Sequence, residues 1–222
     1  MQLTTRSRFG LAAVLVVLGA VASLLSAPEL PAELVTRWDG AGEPNGTLPK
    51  TAALALMPAL SAGLIALFAL LPRIDPLGEN IRSFRAHYDW FVVVFTAFLS
   101  ATHVGVIAYN LGYEFDFALI LLAGMAALFY YIGVVLDHAE RNWFVGIRTP
   151  WTLSSDEVWD RTHNLGATLF KLTAVVSAGG LLLGDLAIFV FLGATLVTAV
   201  TTVVYSYYCY RQLDGGDVAA AG

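Results

Sequence analysis

The side chains of this sequence that could carry chemistry lie mostly between positions 137 and 163. Asp137, His138 and His163 fall in this stretch, and imidazole with carboxylate is a common donor set for moving a proton or binding a metal ion. One hypothesis is therefore a membrane-embedded enzyme or a proton-coupled transporter that uses a polar cluster of His, Asp and Arg. No two histidines have the i,i+4 spacing of a helical zinc motif. We therefore predict no catalytic residue, no metal and no cofactor, and keep that hypothesis as the alternative.

The same stretch contains three tryptophans, and it predicts a structured polar loop over residues 137–164. Pro150 ends any helix that enters the loop, and Gly146 marks a turn before it. Ser154 lies three residues before Glu157, the spacing of a capping box, so a helix is expected to restart there. The first interpretation of the stretch is that its tryptophans anchor the loop at the lipid headgroups. The second is functional: a polar cluster closes the cytoplasmic end of the bundle and consists of Asn142, Arg148, Thr149, Asp156 and His163.

On the second interpretation the loop binds a partner. If Arg148 is partly buried, it needs a carboxylate or a carbonyl as its own partner, and Asp156 is the nearest candidate. The predicted partner-binding residues are Asn142, Gly146, Arg148, Thr149, Pro150, Trp151, Thr152, Asp156, Trp159, Thr162 and His163.

The composition indicates an integral membrane protein. Of the 222 residues, 58% are hydrophobic and 13% are charged, whereas soluble domains carry about 25% charged residues. The mean hydropathy is +0.71. The formal net charge of −5 argues against nucleic acid as a direct partner. The single cysteine, Cys209, excludes an intramolecular disulfide.

Six apolar segments approach or reach the length of about 20 residues that a helix needs to cross the hydrocarbon core. Backbone polar groups lack water partners in lipid, so each segment is predicted to be an α-helix. The predicted fold is an all-α, six-transmembrane-helix bundle in the plasma membrane. His103, inside the third span, is expected to bond to a neighbouring helix. The spans are Phe9–Leu25, Thr51–Leu71, Trp90–Tyr109, Phe117–Leu136, Leu165–Leu183 and Leu186–Tyr208.

The distribution of lysine and arginine predicts that both termini face the cytoplasm. With the N-terminus inside, only Arg37 and Lys50 fall outside, and basic residues concentrate in the cytoplasmic parts of membrane proteins. The ten on the inner side are Arg6, Arg8, Arg73, Arg82, Arg85, Arg141, Arg148, Arg161, Lys171 and Arg211.

The outer loop, residues 27–50, is rich in glycine and proline and is expected to bend rather than form a helix. We predict that it contacts an external ligand through Trp38, Asp39, Gly40, Gly42, Pro44 and Gly46.

The inner connection over residues 72–89 predicts a turn at positions 75–78 and then a short amphipathic helix. Glu79/Arg82 and Arg85/Asp89 have the spacings of helical ion pairs. The predicted division of the chain is residues 1–72, which hold two spans and the outer loop, and residues 73–222, which hold four spans and the structured loop.

Two segments resemble the SdpI family of membrane proteins. Asn142 followed by Gly146-Ile147-Arg148-Thr149-Pro150-Trp151-Thr152-Leu153 is similar to the family's inner-loop signature, and Asp156-Glu157-Val158-Trp159 and Thr162-His163 continue the match. Residues 74–81 also look like the family. The outer residues Trp38-Asp39-Gly40, Gly42-Glu43-Pro44 and Gly46 resemble a small domain of unknown function that usually stands at the N-termini of these proteins.

The resemblance implies an immunity or signalling role rather than catalysis. The resemblance implies that the protein's partners are the lipid bilayer, a secreted peptide toxin outside the cell and a transcriptional repressor in the cytoplasm. Coupling the two sides would require two states of the bundle with different affinities for the outer and inner partners.

Overall fold

The computed structural model describes residues 3–40 and 42–220. Helices dominate this part of the chain, and a two-stranded antiparallel hairpin lies between the first two long helices. The helices are α1 (Thr5–Ser26), α2 (Lys50–Ile74), α3 (Gly78–Ser83), α4 (Arg85–Asn110), α5 (Phe117–Leu136), α6 (Pro150–Ser154), α7 (Asp156–Gly180) and α8 (Ala187–Ala220), and the strands are β1 (Glu33–Trp38) and β2 (Pro44–Pro49).

Long apolar helices confirm a helical multi-pass membrane protein. Within the described residues, five helical segments are long and apolar enough to cross a membrane. The first four are α1, α2, α4 and α5, and the fifth is a segment of 58 residues, Asp156–Leu213, that contains α7 and α8 as far as Leu213. Many of their large apolar side chains face outward, such as Leu24 on α1 and Val204 on α8, where lipid would cover them.

The chain reverses direction between α7 and α8. A 3-10 helix over Leu181–Leu186 joins them, and Gly184 inside it has φ 57° and ψ −123°, a conformation that a residue with a Cβ rarely adopts. On either side of this turn, the hydroxyl oxygens of Thr173 and Thr198 lie 2.6 Å apart in a buried hydrogen bond. The two helices therefore run side by side.

The long helices pack as two groups of three, and the short helices α3 and α6 belong to the connections between long helices. α1, α2 and α4 pack together, as do α5, α7 and α8, and α4 contacts α5 between the groups. In the first group, the predicted bond of His103 to a neighbouring helix is confirmed, because its Nε2 lies 2.7 Å from the Ser23 hydroxyl of α1. Hydrogen bonds of this kind join helices where water is absent.

The hairpin was not predicted as strands, although the loop bends as expected. Its strands pair antiparallel with Leu34 opposite Leu48, and the register shifts around Arg37. Leu34 is fully buried, packed with Leu30 and Ala53. The hairpin therefore covers one end of the bundle, which we call the hairpin end.

The connection after α2 confirms the predicted turn but divides the predicted amphipathic helix. The N–H of Gly78 donates to the carbonyl of Asp75 at 3.0 Å, which closes the turn. Phe84 then leaves helical geometry, with ψ 22°, so α3 ends there and α4 begins at Arg85 rather than at the predicted Trp90. The pair of Arg85 and Asp89 consequently lies in the first turns of α4.

Candidate functional site

Asn142 organises the beginning of the polar loop at the other end of the bundle, residues 137–164, which we call the signature loop. Its side chain is fully buried. Nδ2 donates to the carbonyls of Glu140 and Val145, each at 2.9 Å, and Oδ1 accepts from the N–H groups of Phe144 at 2.9 Å and Val145 at 2.6 Å. Only a carboxamide offers two donors and an acceptor oxygen in this arrangement, so the loop shape depends on asparagine.

Gly146 turns the loop toward α7. Its φ is 122°, and a Cβ at this position would collide with the rings of His163 and Trp159. The N–H of Ile147 donates to His163 Nε2 at 3.0 Å, and His163 Nδ1 donates to the carbonyl of Trp159 at 2.8 Å. Because Nε2 accepts, the imidazole is the neutral tautomer with its hydrogen on Nδ1. His163 therefore links the loop to α7.

The tryptophans of the loop have different environments, so the interpretation as headgroup anchors does not apply to all of them. Trp159 is fully buried, its ring stacks 3.8 Å from that of His163, and its Nε1 donates to the carbonyl of Ala139 at 2.7 Å. Trp151 is partly buried, with its ring centroid 5.0 Å from that of Tyr207 on α8. Trp143 is 49% exposed. Only Trp143 has the exposure expected of an anchor at the headgroups.

The short helix α6 is held by threonine side chains. Thr149 is its N-cap and forms a capping box with Thr152, and Pro150 occupies the first turn, where its missing N–H costs nothing. Thr149 Oγ1 also donates to the Ser206 hydroxyl of α8 at 3.3 Å. The predicted capping box at Ser154 is wrong, because the chain stays in α6 through that residue.

The next helix, α7, therefore begins one residue later than predicted. Ser155 is its N-cap, and the Ser155 Oγ accepts from the N–H of Val158 at 3.3 Å.

Arg148 bonds to a carbonyl, one of its two expected kinds of partner, and not to Asp156, the nearest candidate. Arg141 Nε donates to Asp156 Oδ1 at 2.5 Å and its NH1 donates to the carbonyl of Leu153 at 2.8 Å. The turn at Gly146 points Arg148 the other way, where its NH1 donates to the carbonyl of Trp143. Arg148 thus closes the first half of the loop, and Arg141 joins the loop to the start of α7.

Two residues outside the signature loop hold it against the bundle, and the sequence did not single them out. The carboxylate of Asp75, at the end of α2, accepts from the N–H of Trp143 at 2.9 Å. The side chain of Asn80 on α3 donates to the carbonyl of Arg141 at 2.7 Å. The segment 74–81 carries the family resemblance, which was the one available signal for this contact.

The predicted partner-binding residues divide into a buried and an exposed set. Arg148, Pro150 and Asp156 are exposed, and Gly146 and Trp151 are partly buried. Arg148 lies beside Trp143, to whose carbonyl it donates, and the side chains of Trp143 and Phe144 are also exposed. We call the exposed residues Trp143, Phe144, Arg148 and Pro150 the signature face. The buried residues are Asn142, Thr149, Thr152, Trp159, Thr162 and His163.

The structure does not bring together the residues of the proton or metal hypothesis. Asp137 forms an ion pair with Lys171, and the His138 ring stacks 3.7 Å from the His87 ring, while His163 is occupied inside the loop. Among residues 3–40 and 42–220, no group of three or more His, Cys, Asp or Glu side chains could hold a metal ion. No specific contact therefore favours the enzyme or transporter hypothesis.

Aromatic and amide contacts fix the hairpin to the bundle. The Trp38 ring stacks on Phe117 with centroids 4.2 Å apart and meets Tyr109 edge-on at 5.2 Å. Asn110, at the end of α4, accepts from the N–H of Val35 at 2.8 Å and donates to its carbonyl at 2.9 Å. The amide of Asn110 thus pairs with β1 much as another strand would.

The remaining residues of the predicted outer site lie around the tip of the hairpin. Asp39 is exposed and its Oδ1 accepts from the N–H of Glu43 at 3.0 Å. Gly42 has φ 80°, which favours glycine, and Gly40 and Pro44 are exposed. Gly46 leaves room for the guanidinium of Arg37, which a Cβ would obstruct. These residues therefore shape the hairpin and present its tip.

A buried ion cluster lies where α1 meets α4. The sequence predicted its pair of Arg85 and Asp89, but not the burial of this pair or the addition of Arg8. The carboxylate of Asp89 is fully buried, with Arg85 Nε at 2.6 Å and Arg8 NH1 at 3.7 Å. Arg8 is itself 8% exposed. The sequence contained only a weak indication of a buried cluster. The position of Arg8 is typical of the basic flank of a span, and the spacing of Asp89 is typical of a helical ion pair on the surface.

Comparisons with known proteins agree with the sequence resemblance. Residues 138–206 match the model described as the SdpI/YfhL protein family, and residues 14–62 match a domain of unknown function, DUF1648. The chain is 23% identical over 203 residues to the "Immunity protein SdpI" of Bacillus subtilis (strain 168), which covers 91% of this chain and 95% of the relative. No solved structure matches the chain significantly. The resemblance to the SdpI family is therefore confirmed.

Proposed function

We propose, from its match to the SdpI/YfhL protein family, that this chain is a multi-pass plasma-membrane immunity protein that binds its partners and has no catalysis of its own. It would give resistance to a secreted peptide toxin on the outside and recruit a transcriptional repressor on the inside. The observation that carries the proposal is the similarity to an immunity protein over 91% of the chain.

The proposed topology has six crossings with both termini in the cytoplasm. At 1.5 Å per residue a helix of 58 residues would be about 87 Å long, far more than a hydrocarbon core of about 30 Å. The turn at Gly184 supports dividing that segment into two crossings, α7 and α8. The excess of arginine near the signature loop supports a cytoplasmic location for it.

The proposed division of the chain is at residues 72 and 73. The match to the domain of unknown function lies before this point and the match to the SdpI/YfhL model lies after it. In this division the first unit supplies the hairpin and the second supplies the signature loop.

The proposed inner partner surface is the signature face together with Trp151. Trp143 is 49% exposed and Phe144 37% exposed, beside an exposed arginine, and aromatic residues with arginine are enriched at protein interfaces. The buried residues of the loop would act indirectly, by fixing the position of these side chains.

The proposed outer contact is the tip of the hairpin, from Trp38 to Gly46. The tip carries exposed polar groups and backbone, and its base is joined to α4 and α5 through Trp38. A ligand that moves the hairpin would therefore act on the helices that lead to the other end. Coupling still requires that the ligand bind one state of the bundle more tightly than another.

A mixed culture tests the proposal without knowledge of the toxin. In the strain that carries this gene, a deletion mutant grown together with its parent should decline, because the parent secretes a peptide that the mutant no longer resists. The intact gene should restore survival. Arg148→Ala and Trp151→Ala should fail to restore it, although they reach the membrane in normal amounts.

The matched control is Arg161→Ala, which removes an exposed arginine paired with Glu157 at 2.6 Å in the same region. It should protect like the intact gene. Full protection by both Arg148→Ala and Trp151→Ala, or a deletion mutant that persists unharmed, would contradict the proposal.

A further inference from the structure

The hairpin end contains a cavity of about 700 Å³, which is within the range of small-ligand pockets. It lies between the hairpin and helices α4, α5 and α8 and reaches Met57 of α2. Met125 on its wall is nine residues along α5 from Asp116, so the cavity extends about 13 Å below the helix end.

The walls of the cavity are apolar. Leu121 and Leu122 of α5 and Ile188 and Leu192 of α8 are among the side chains that line it. A space of this size lined by aliphatic side chains favours the insertion of bulky apolar groups, because burying them removes apolar surface from water.

The entrance of the cavity is predominantly acidic. Asp39, Asp116 and Asp185 border the cavity and are exposed, and Arg37 is the one basic residue that borders it in the part of the chain that the structure describes. The Arg37 guanidinium packs over Gly46 within the hairpin. Asp116 and Asp185 lie at the ends of α5 and α8 that enclose the cavity. A positive group held between them would be attracted to both carboxylates.

A donor at the entrance also lacks a partner. Trp38 borders the cavity, and its buried Nε1 has no hydrogen-bond partner among the described residues. A buried N–H without an acceptor is unfavourable, and a backbone carbonyl of a bound chain would satisfy it.

We infer that this cavity binds a cationic amphipathic peptide. Bulky apolar side chains of the peptide enter the space between α5 and α8, and a lysine, an arginine or the amino terminus lies against Asp116 and Asp185. Trp38 Nε1 donates to a peptide carbonyl. Anionic phospholipids fit the apolar walls but not the entrance, because their negative headgroups would face carboxylates. The inference rests on the proposed function in that the peptide would be the toxin that the protein recognises.

The test uses the full chain in nanodiscs of phosphatidylcholine, with empty nanodiscs as the blank. The probe is a short dansyl-labelled peptide of leucine and lysine, compared with a peptide in which glutamate replaces lysine. We expect the lysine peptide to bind and the glutamate peptide to fail. Asp116→Asn with Asp185→Asn should weaken binding about fivefold or more, and asparagine keeps the helix cap that Asp116 provides.

Matched variants separate the cavity from the surface. Glu43→Gln with Glu114→Gln removes two exposed charges near the same end but outside the cavity lining, and it should leave binding unchanged. Ala118→Phe should fill the cavity and abolish binding, whereas Ala123→Phe on the exposed side of α5 should not.

Equal binding of the two peptides, or unchanged affinity in both the Asp116/Asp185 and the Ala118 variants, would overturn the inference. The inference would also be overturned, in favour of a lipid, by a different pair of results. In that case the protein does not bind the lysine peptide, but it binds a labelled anionic phospholipid and loses this binding in Ala118→Phe.

The outcome is distinguishable from failure of the proposed function. Normal protection in mixed culture by the Asp116/Asp185 and Ala118 variants would leave the immunity role intact without this site. Peptide binding at the cavity by a protein that gives no protection would leave the site intact without the role.

Discussion

At the scale of single residues, the polar side chains of the signature loop mainly bind their own backbone. Asn142 and His163 use their nitrogen and oxygen atoms to fix neighbouring peptide groups. The sequence indicated that these residues matter, but residue type and spacing cannot tell whether a polar side chain meets a ligand or a carbonyl of the same loop. That depends on the turn at Gly146, which sets where each side chain points.

Gly146→Ala should therefore destabilise the protein. The alanine would have to adopt φ 122°, which a residue with a Cβ rarely does, and its methyl group would collide with His163 and Trp159. The strain and the collision together should lower the free energy of unfolding by about 2 kcal/mol or more. Thermal unfolding in detergent, followed by tryptophan fluorescence, measures the effect. The control, Gly179→Ala, adds a methyl group where nothing lies within 4 Å, and it should unfold at the wild-type temperature or above. Equal unfolding of Gly146→Ala and the wild type would refute the assigned role of this turn.

Asp89→Asn should be more damaging than its small change in shape suggests. The substitution leaves Arg8, which is 8% exposed, without a countercharge beside it, and breaking a buried ion pair typically costs about 3–5 kcal/mol. Denaturant unfolding in mixed micelles should show this loss. Glu79→Gln removes an exposed partner of Arg82 and should leave the unfolding midpoint unchanged. If both variants behave alike, the cluster around Asp89 does not stabilise the contact of α1 with α4.

At the scale of elements, the sequence predicted the long helices well and the connections less well. Continuous apolar runs such as Phe117–Leu136 admit one structure in lipid, and α5 has those bounds. The hairpin was missed because its second strand, Pro44–Pro49, contains proline and glycine. These residues predict a loop rather than a strand. Its pairing depends on β1 and Asn110, which are distant in sequence. The start of α4 was misplaced because the helix begins directly after Phe84, ahead of the apolar run, and the start of α7 because Ser155 rather than Ser154 caps it.

Asn110→Ala should loosen the hairpin without unfolding the bundle. It removes both hydrogen bonds to Val35 of β1, which should raise amide hydrogen exchange over residues 33–49 by about tenfold. The control is Asn45→Ala at the exposed tip, for which exchange in β1 should stay at the wild-type rate. Unchanged protection of β1 in Asn110→Ala would mean that the stacking of Trp38 on Phe117 holds the hairpin alone.

At the scale of the whole molecule, the two ends of the bundle have different structures. The hairpin end has a short sheet over an apolar cavity with an acidic entrance, and the other end has an ordered loop with an exposed face of Trp143, Phe144 and Arg148. α4 and α5 connect them, since α4 carries both Asn110 and Asp89, and α5 begins at Phe117 and ends next to Asp137. The proposed role, in which a peptide is sensed outside and a partner is bound inside, would need this separation.

The sidedness of these two ends is the central claim, and cysteine labelling tests it most directly. Cys209 is buried and is the one cysteine of the chain, so replacing it by alanine gives a background for Asn45→Cys in the hairpin and Ser154→Cys in the signature loop, both at exposed positions. In intact cells a membrane-impermeant maleimide should modify Asn45→Cys and leave Ser154→Cys unmodified until the membrane is permeabilised. Modification of Ser154→Cys in intact cells, with Asn45→Cys protected, would contradict the account.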